Sequence, residues 1–281
     1  MHETSPILVH TPSETRQFVR AFRWVRLLTH VVFGLIIVGV IFRRVSPQRR
    51  ASLTAWWAAK LLRILNVVLL VHGARPPVNV RNMIVAANHV SWLDIFVISA
   101  AHPARFVAKA EIRDWPIAGW LCDKAGTIFI RRTRRSDTAK INQIMHDVLA
   151  EGATIGFFPE GTTSRGDKLM KFHTSLFEPA VVNAATLAPV AIRYRASDGE
   201  LNDAVAFIGE LSFAESVAMI IRQKSMIAEI MFAQPIDAKG LSRRELALRA
   251  EIAIATILGV APPHAHHRFT NDADVADGAS G

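Results

Sequence analysis

Cysteine is almost absent from this chain of 281 residues, in which Cys122 is the only one. A single cysteine cannot form an intrachain disulfide, and it cannot build a zinc site from cysteine ligands. The chain therefore fits a reducing compartment and a chemistry that needs no metal. We interpret Cys122 itself as a buried thiol, the usual environment of a free cysteine.

The chain also lacks a long hydrophobic run. Its most apolar stretch covers residues 27–42 and is bounded by Arg26 before it and by Arg43 and Arg44 after it. This stretch is shorter than the roughly 20 apolar residues that a membrane crossing requires, although arginine side chains can reach toward the interface. Both flanks are basic, so charge does not settle an orientation. Because no signal-peptide cleavage site is evident, we expect retention rather than secretion.

Residues 53–71 form a second apolar stretch, which Lys60 and Arg63 interrupt. This pattern is typical of a helix at a membrane interface, and the two stretches together can form a re-entrant hairpin. An ordinary helix packed on the protein core stays an alternative, because helical periodicity does not separate the two. We assign residues 1–72 to this basic, membrane-anchoring segment.

Acidic residues are outnumbered, since 24 Asp and Glu stand against 33 Lys and Arg and leave a formal net charge of +9. This balance favours an anionic partner, such as phospholipid headgroups, a phosphorylated substrate or nucleic acid. Residues 73–262 are predicted to form one catalytic domain. Residues 263–281 are predicted to be a disordered tail, and we assign no function to its histidines, His264, His266 and His267.

Four short apolar runs have the length of strands, at residues 83–87, 127–130, 153–158 and 188–194. A helical pattern follows at 137–150, another strand is predicted at 226–232, and Ser242 begins a helix that ends near Gly259. The alternation predicts an α/β fold whose mostly parallel sheet is flanked by helices and binds ligands at the carboxyl ends of its strands. Three polar segments fall there, at residues 88–89, 131–132 and 159–164.

The first of these segments contains His89, and Asp94 follows five positions later. In one continuous helix the two side chains would lie about 140° apart and could not meet. We therefore predict that His89 lies in the turn after the strand and that Ser91 caps a helix from which Asp94 reaches back to the imidazole. A neutral histidine oriented by a carboxylate suits a general base near pH 7.

Four motifs in order resemble the phospholipid and glycerol acyltransferase family, typified by 1-acyl-glycerol-3-phosphate acyltransferase. They are Asn88-His89 through Asp94, Gly126 through Arg132, Phe158 through Thr162, and Ala188-Pro189-Val190. The resemblance covers roughly residues 70–210. It implies the fold of glycerol-3-phosphate acyltransferases, a membrane-bound enzyme of phospholipid biosynthesis, and a His89–Asp94 dyad that activates the hydroxyl of the acceptor.

The resemblance also implies a substrate-binding set. Arg132 matches the basic position that grips phosphate, with Arg131 as its local rival and Lys109 as a weaker candidate. Glu160, Gly161 and Thr162 match residues that bind and shape the acceptor site. The sequence departs from the family next, because Thr163 stands where arginine is common, so Arg165 is a candidate for the same phosphate. The tryptophans Trp92, Trp115 and Trp120 either line an acyl path or belong to the core.

The leading hypothesis is transfer of a fatty acyl chain from acyl carrier protein or coenzyme A to 1-acyl-glycerol-3-phosphate, forming phosphatidate. The Thr163 departure keeps open another lysolipid acceptor, such as lyso-ornithine lipid. A non-catalytic membrane protein that binds anionic lipid is the alternative of another class, and nucleic-acid binding lacks any recognition motif. The resemblance implies no metal or bound cofactor, and a bacterial inner-membrane location with the catalytic domain on the cytoplasmic side.

Overall fold

The structure, a computed structural model, describes residues 14–77, 80–115, 118–130 and 135–263. Within these ranges a mixed sheet of eight strands is flanked by helices on both faces. The strands are β1 (Val67–Gly73), β2 (Met83–Ala87), β3 (Arg105–Lys109), β4 (Ile128–Ile130), β5 (Ile155–Phe157), β6 (Thr186–Ala196), β7 (Met226–Phe232) and β8 (Ile236–Asp237). The helices are α1 (Gln17–Ile36), α2 (Pro47–Ile64), α3 (Asp94–Ala101), α4 (Ala118–Lys124), α5 (Arg135–Ala150), α6 (Glu178–Val182), α7 (Phe213–Arg222) and α8 (Arg243–Leu258).

The strand order is β1-β7-β6-β2-β5-β3-β4, and β8 pairs with β6 outside this path. Neighbouring strands from β6 to β4 are parallel, as are β1 and β7, whereas β7 and β8 run antiparallel to β6. The predicted α/β class and the mostly parallel sheet are therefore confirmed. Because β2 and β5 are parallel neighbours, their carboxyl ends bring the segments at 88–89 and 159–164 to the same edge.

Three strands, β1, β3 and β8, were not predicted from the sequence. The helix expected over residues 53–71 is wrong after Ile64, because Asn66 adopts a left-handed φ of 58° and the chain continues as β1. Valines and leucines fill both patterns, so an apolar run directly after a helix hides the change of period. The sheet thus begins before residue 73, where the catalytic segment was predicted to start. The other two are β3, which lies between β5 and β4, and the two-residue strand β8, which pairs with β6.

Every residue of β2 is buried, as the central position of the strand in the sheet requires. Its side chains alternate between two hydrophobic clusters: Val85 belongs to the cluster under α1, α2, α3 and α7, and Ile84 to the cluster under α5, α6 and α8. The α8 helix begins as predicted, since the Ser242 hydroxyl accepts the Glu245 N–H, and it ends at Gly259 with a φ of 69°. The sheet and its two helical layers form the rigid frame of the site.

The apolar run at residues 27–42 lies in a helical segment that extends from Gln17 to Arg44, and a window of 18 residues within it has a mean hydropathy of 2.3. Length and composition would allow it to cross a membrane, and it is the one such helix in the described part of the chain. Its exposed side carries Phe18, Phe22, Val25, Leu28 and Val32. The re-entrant hairpin of the two apolar stretches stays a prediction, as does its alternative, a helix that crosses the bilayer.

The first helix is fastened to the core by Arg23. Its buried guanidinium donates to the carbonyl oxygens of Ile221, Gln223 and Lys224 at the end of α7, at 3.0, 2.5 and 2.9 Å. Farther along α1, Trp57 of α2 donates its indole N–H to the His30 carbonyl at 3.1 Å. These contacts fix the position of α1 and α2 relative to the sheet.

Candidate active site

The turn after β2 and the first residue of α3 bring His89 and Asp94 together. The strand ends at Ala87, His89 lies in the turn, and α3 begins at Asp94. The imidazole Nδ1 is 2.8 Å from Asp94 Oδ2. The structure therefore has the geometry that the five-residue spacing predicts, although the catalytic role of the pair stays a prediction.

Asp94 is fully buried and its carboxylate is the centre of the turn. Besides His89, the oxygen Oδ2 accepts the backbone N–H groups of Val90 at 2.7 Å and Ser91 at 3.0 Å, while Oδ1 accepts the Tyr194 hydroxyl at 2.6 Å. The prediction that Ser91 caps α3 is wrong, because the helix begins three residues later and the buried Ser91 Oγ has no hydrogen-bond partner in the described ranges. Asp94 instead accepts the N–H groups of Val90 and Ser91, which precede the helix, and Leu93 at the N-cap position makes no side-chain cap hydrogen bond.

The His89 ring stacks on Phe158, with ring centroids 3.9 Å apart and planes 9° from parallel. Asp94 occupies Nδ1, and none of the described residues hydrogen-bonds Nε2. The side chain is 19% exposed and lines a cavity that extends along α1, α2 and α3. Stacking and the carboxylate together fix the ring so that Nε2 is the nitrogen left for a substrate.

Glu160 lies beneath this turn and is only 3% exposed. One carboxylate oxygen accepts the His89 N–H at 2.7 Å, and the other accepts the Met170 N–H at 3.0 Å. Burial raises the pKa of Glu160 to about 7, although the two backbone donors act in the opposite direction. The structure therefore places the predicted acceptor-binding carboxylate on the backbone of the histidine turn.

The other predicted binding residues differ in their positions. Gly161, which has a left-handed φ of 73°, and Thr162 line the same cavity as His89. Arg165 is exposed on the loop. Arg132 lies outside the described residues, as does Arg131, whereas Lys109 lines the cavity. The assignment of these residues to the acceptor stays a prediction.

The hydroxyl of Thr163 donates to the Phe207 carbonyl, in the segment that follows β6. The Phe207 N–H in turn donates to the carbonyl oxygen of Val90 at 3.0 Å. The loop after β5, the turn after β2 and the segment around Phe207 are thus joined, and Phe207, Ile208 and Gly209 contribute to the cavity wall.

Groups of β6 that had no predicted role hold the histidine turn by hydrogen bonds. The Asn88 side chain accepts the Ile192 N–H at 2.7 Å and donates to the Ile192 carbonyl at 3.0 Å, and Tyr194 bonds Asp94 from the same strand. Tyr194 is the only tyrosine of the chain, and it was read simply as the end of an apolar strand. A phenol in a fully buried strand is a signal that sequence offers, because such a hydroxyl needs a partner.

A cavity of about 2320 Å³ opens at His89 and runs along the inner sides of α1, α2 and α3. Its apolar lining includes Leu27, Val31, Gly34, Trp57 and Phe96, together with two of the tryptophans considered above, Trp92 and Trp115. Trp120 is 42% exposed and lies near Gly39 on the N-terminal helical segment. His89 lines this cavity, whose walls are otherwise mostly apolar, as a fatty acyl chain requires.

No group of three or more His, Cys, Asp or Glu side chains in the described ranges is placed to hold a metal ion. The expectation of a metal-free site stays a prediction.

Comparisons with known proteins give consistent results. A family model described as Acyltransferase matches residues 68–193. The lyso-ornithine lipid O-acyltransferase of Pseudomonas aeruginosa is 39% identical, over 86% of this chain and 94% of the relative. The 1-acyl-sn-glycerol-3-phosphate acyltransferase of Neisseria meningitidis is 33% identical, over 77% of this chain and 86% of the relative.

Among solved structures, the 1-acyl-sn-glycerophosphate acyltransferase PlsC from Thermotoga maritima superposes with a TM-score of 0.62. The match covers 85% of this chain and 96% of that chain at 23% sequence identity, and it supports the fold.

Proposed function

Because this chain belongs to the acyltransferase family and acts on a lysolipid, we propose that it O-acylates lyso-ornithine lipid with His89 as the general base. The observation that carries the proposal is the imidazole whose Nδ1 is held by Asp94 and whose Nε2 is left at the mouth of an apolar cavity. The same observation disfavours a non-catalytic lipid-binding protein, which needs no oriented base.

The proposed reaction is direct transfer. The acceptor hydroxyl gives its proton to His89 Nε2 while its oxygen bonds to the thioester carbonyl carbon, and Asp94 stabilises the imidazolium that forms. The carbon–sulfur bond then breaks, and the thiolate leaves with a proton from the imidazolium. Because the thioester is already activated, no protein nucleophile is needed and no metal or bound cofactor enters the proposal.

The choice of acceptor rests on Thr163. Where arginine is common in the family, this chain has a neutral side chain whose hydroxyl is occupied by the Phe207 carbonyl. The loop therefore supplies no cation for a phosphate at that position, and an ornithine headgroup has no phosphate to bind. The identity of 39% to the lyso-ornithine lipid enzyme of Pseudomonas aeruginosa supports this acceptor.

A second candidate acceptor is 1-acyl-glycerol-3-phosphate, the acceptor of our leading sequence-based hypothesis. The Neisseria meningitidis relative supports it, and so does the exposed Arg165 two positions after Thr163, which offers a cation on the same loop. This candidate predicts phosphatidate as the product.

The donor and the location complete the proposal. We propose a thioester of acyl carrier protein or coenzyme A as donor, and a membrane-bound protein with its catalytic domain on the cytoplasmic side of a bacterial inner membrane. Bacterial relatives and the apolar N-terminal helix support this location.

The test offers lyso-ornithine lipid and 1-acyl-glycerol-3-phosphate to the detergent-solubilised full-length protein, with each donor, and quantifies products by mass spectrometry. We expect kcat/KM for lyso-ornithine lipid to exceed that for the phosphate acceptor at least tenfold. The opposite preference would transfer the assignment to the second candidate.

A variant and its matched control sharpen the acceptor test. Thr163→Arg restores the cation common in the family and is expected to raise the relative use of the phosphate acceptor. Thr256→Arg adds the same charge on the exposed side of α8 and is expected to leave the preference unchanged. Equal effects of both variants would show that only net charge matters and would remove Thr163 from the argument.

A further inference from the structure

The strand β6 continues past the point where its parallel neighbour β2 ends. The last paired residues are Ala87 of β2 and Val190 of β6, whereas β6 extends to Ala196 and keeps its other edge paired with β7. Beyond the end of β2, the Asn88 side-chain amide takes the place of a paired strand and hydrogen-bonds both the N–H and the carbonyl group of the buried Ile192. The histidine turn is therefore seated on a rigid part of the sheet.

Two residues beyond Ile192, on the same strand, Tyr194 reaches the other end of the turn. Its hydroxyl donates to Asp94 Oδ1 at 2.6 Å, while the three remaining donors, from His89, Val90 and Ser91, all point to Oδ2. Among the described residues, Tyr194 is thus the one donor to Asp94 Oδ1. Both side chains are at most 1% exposed, so water is not available to replace it.

We infer that Tyr194 is a positioning residue of the dyad: its hydroxyl fixes the rotation of the Asp94 carboxylate and, through that carboxylate, the tautomer and basicity of His89. The inference rests on the proposed function of His89 as the base. Tyr194 acts through Asp94 and is no acid or base itself, because it is buried away from substrate.

The chemistry of the phenol agrees with this role. Burial and the neighbouring carboxylate of Asp94 raise the pKa of Tyr194 well above its ordinary value. The hydroxyl therefore stays protonated over the whole working range and remains a donor to Asp94.

Removing the hydroxyl changes both orientation and basicity. In Tyr194→Phe the carboxylate loses the donor that holds Oδ1, and its negative charge is less dispersed. A more basic carboxylate stabilises the imidazolium more strongly relative to the neutral imidazole. The acid limb of kcat/KM is therefore expected to move upward.

The first experiment measures the pH profile of acyl transfer for wild type and Tyr194→Phe. We expect kcat to fall about tenfold, KM to change less than twofold, and the acid limb to move upward by about half a pH unit or more. Among the described residues, the titratable side chains that contact the dyad are Tyr194 and Glu160, with Glu251 facing Glu160. Both glutamates are present in both proteins, so the difference between the profiles isolates the phenol.

A double-mutant cycle separates positioning from general structural damage. Because Tyr194 acts through Asp94, we expect Tyr194→Phe to cost little further kcat in an Asp94→Asn background. As a stability control, Phe177→Leu removes packing from the opposite hydrophobic cluster and should lower the melting temperature without moving the acid limb. Independent, additive losses in the cycle would overturn the inference, as would an unmoved acid limb in Tyr194→Phe.

A second experiment makes the Tyr194 hydroxyl a stronger hydrogen-bond donor without a mutation. Since Tyr194 is the only tyrosine, incorporation of 3-fluorotyrosine changes this site alone. The fluorinated phenol is more acidic and donates more strongly, so we expect the acid limb to move downward, opposite to Tyr194→Phe. A shift in the same direction for both proteins would contradict the inference, whereas a wild-type protein that acylates no lysolipid would contradict the proposed function instead.

Discussion

Glu160 offers a sharp test of the buried electrostatics around the histidine turn. Its carboxyl has a pKa of about 7 in the folded protein, against an ordinary value of 4.5. Between these values the folded state binds more protons than the unfolded state, so the free energy of unfolding must fall as pH rises. This contribution is fully present below about pH 4.5 and is lost above about pH 7.

The magnitude follows from the two pKa values. The interval from 4.5 to about 7 corresponds to about 3 kcal/mol of stability, at about 1.4 kcal/mol for each pH unit. Glu160→Gln keeps the shape but has no proton to lose, so it lacks this contribution to the pH dependence. Its amide also has only one acceptor oxygen for the N–H groups of His89 and Met170, which adds a pH-independent cost of about 1–3 kcal/mol.

The assay is urea unfolding of both detergent-solubilised proteins at several values between pH 5 and pH 8. We expect the stability of wild type relative to Glu160→Gln to fall by about 2–3 kcal/mol across this range, because a part of the contribution is already lost at pH 5. Other titrating groups are common to both proteins and cancel in the difference. A constant difference would refute the elevated pKa and the burial argument from which it comes.

Three further predictions concern the frame of the site. Asn88→Ala leaves the backbone groups of Ile192 unpaired and is expected to cost about 1–3 kcal/mol in urea unfolding and to lower kcat; unchanged values of both would contradict the seating of the turn on β6. Arg23→Met leaves three carbonyl groups without their donor, so α1 should become more accessible to limited proteolysis, and equal cleavage rates would count against the fastening. Gly34 lines the cavity, and a Cβ at this position would lie 2.6 Å from the Trp57 indole nitrogen. Gly34→Leu should therefore lower kcat/KM for the longest acyl donors relative to shorter donors. An unchanged ratio would remove this stretch of the cavity from the acyl path.

Local sequence patterns predicted the parts of the molecule that local physics determines. His89 could be placed in the turn before the helix of Asp94, because two side chains five positions apart in one helix cannot meet. The apolar runs at β2 and β5 marked buried strands, and their polar ends fell at one sheet edge because parallel strands share direction. The boundaries of α8 followed from local capping, because Ser242 caps its start and Gly259 ends it.

The rest depends on contacts between distant segments. Nothing near Tyr194 in sequence indicates that its hydroxyl meets a carboxylate one hundred residues earlier. The resemblance assigned Glu160 to the acceptor site, and only the fold shows that its carboxylate accepts the backbone N–H of His89. Ser91 has the propensity of a helix cap, yet its hydroxyl has no partner among the described residues, and its backbone N–H donates to the Asp94 carboxylate instead.

The central claim is that His89 removes the proton of the acceptor hydroxyl. Its most direct test is the acyl-transfer rate of purified His89→Ala with saturating lysolipid and thioester, beside Asp94→Asn and wild type. The account predicts a fall of roughly 10²–10⁴-fold in kcat for His89→Ala, with lysolipid binding retained and a smaller fall for Asp94→Asn. A His89→Ala enzyme that turns over within a few-fold of wild type would contradict it.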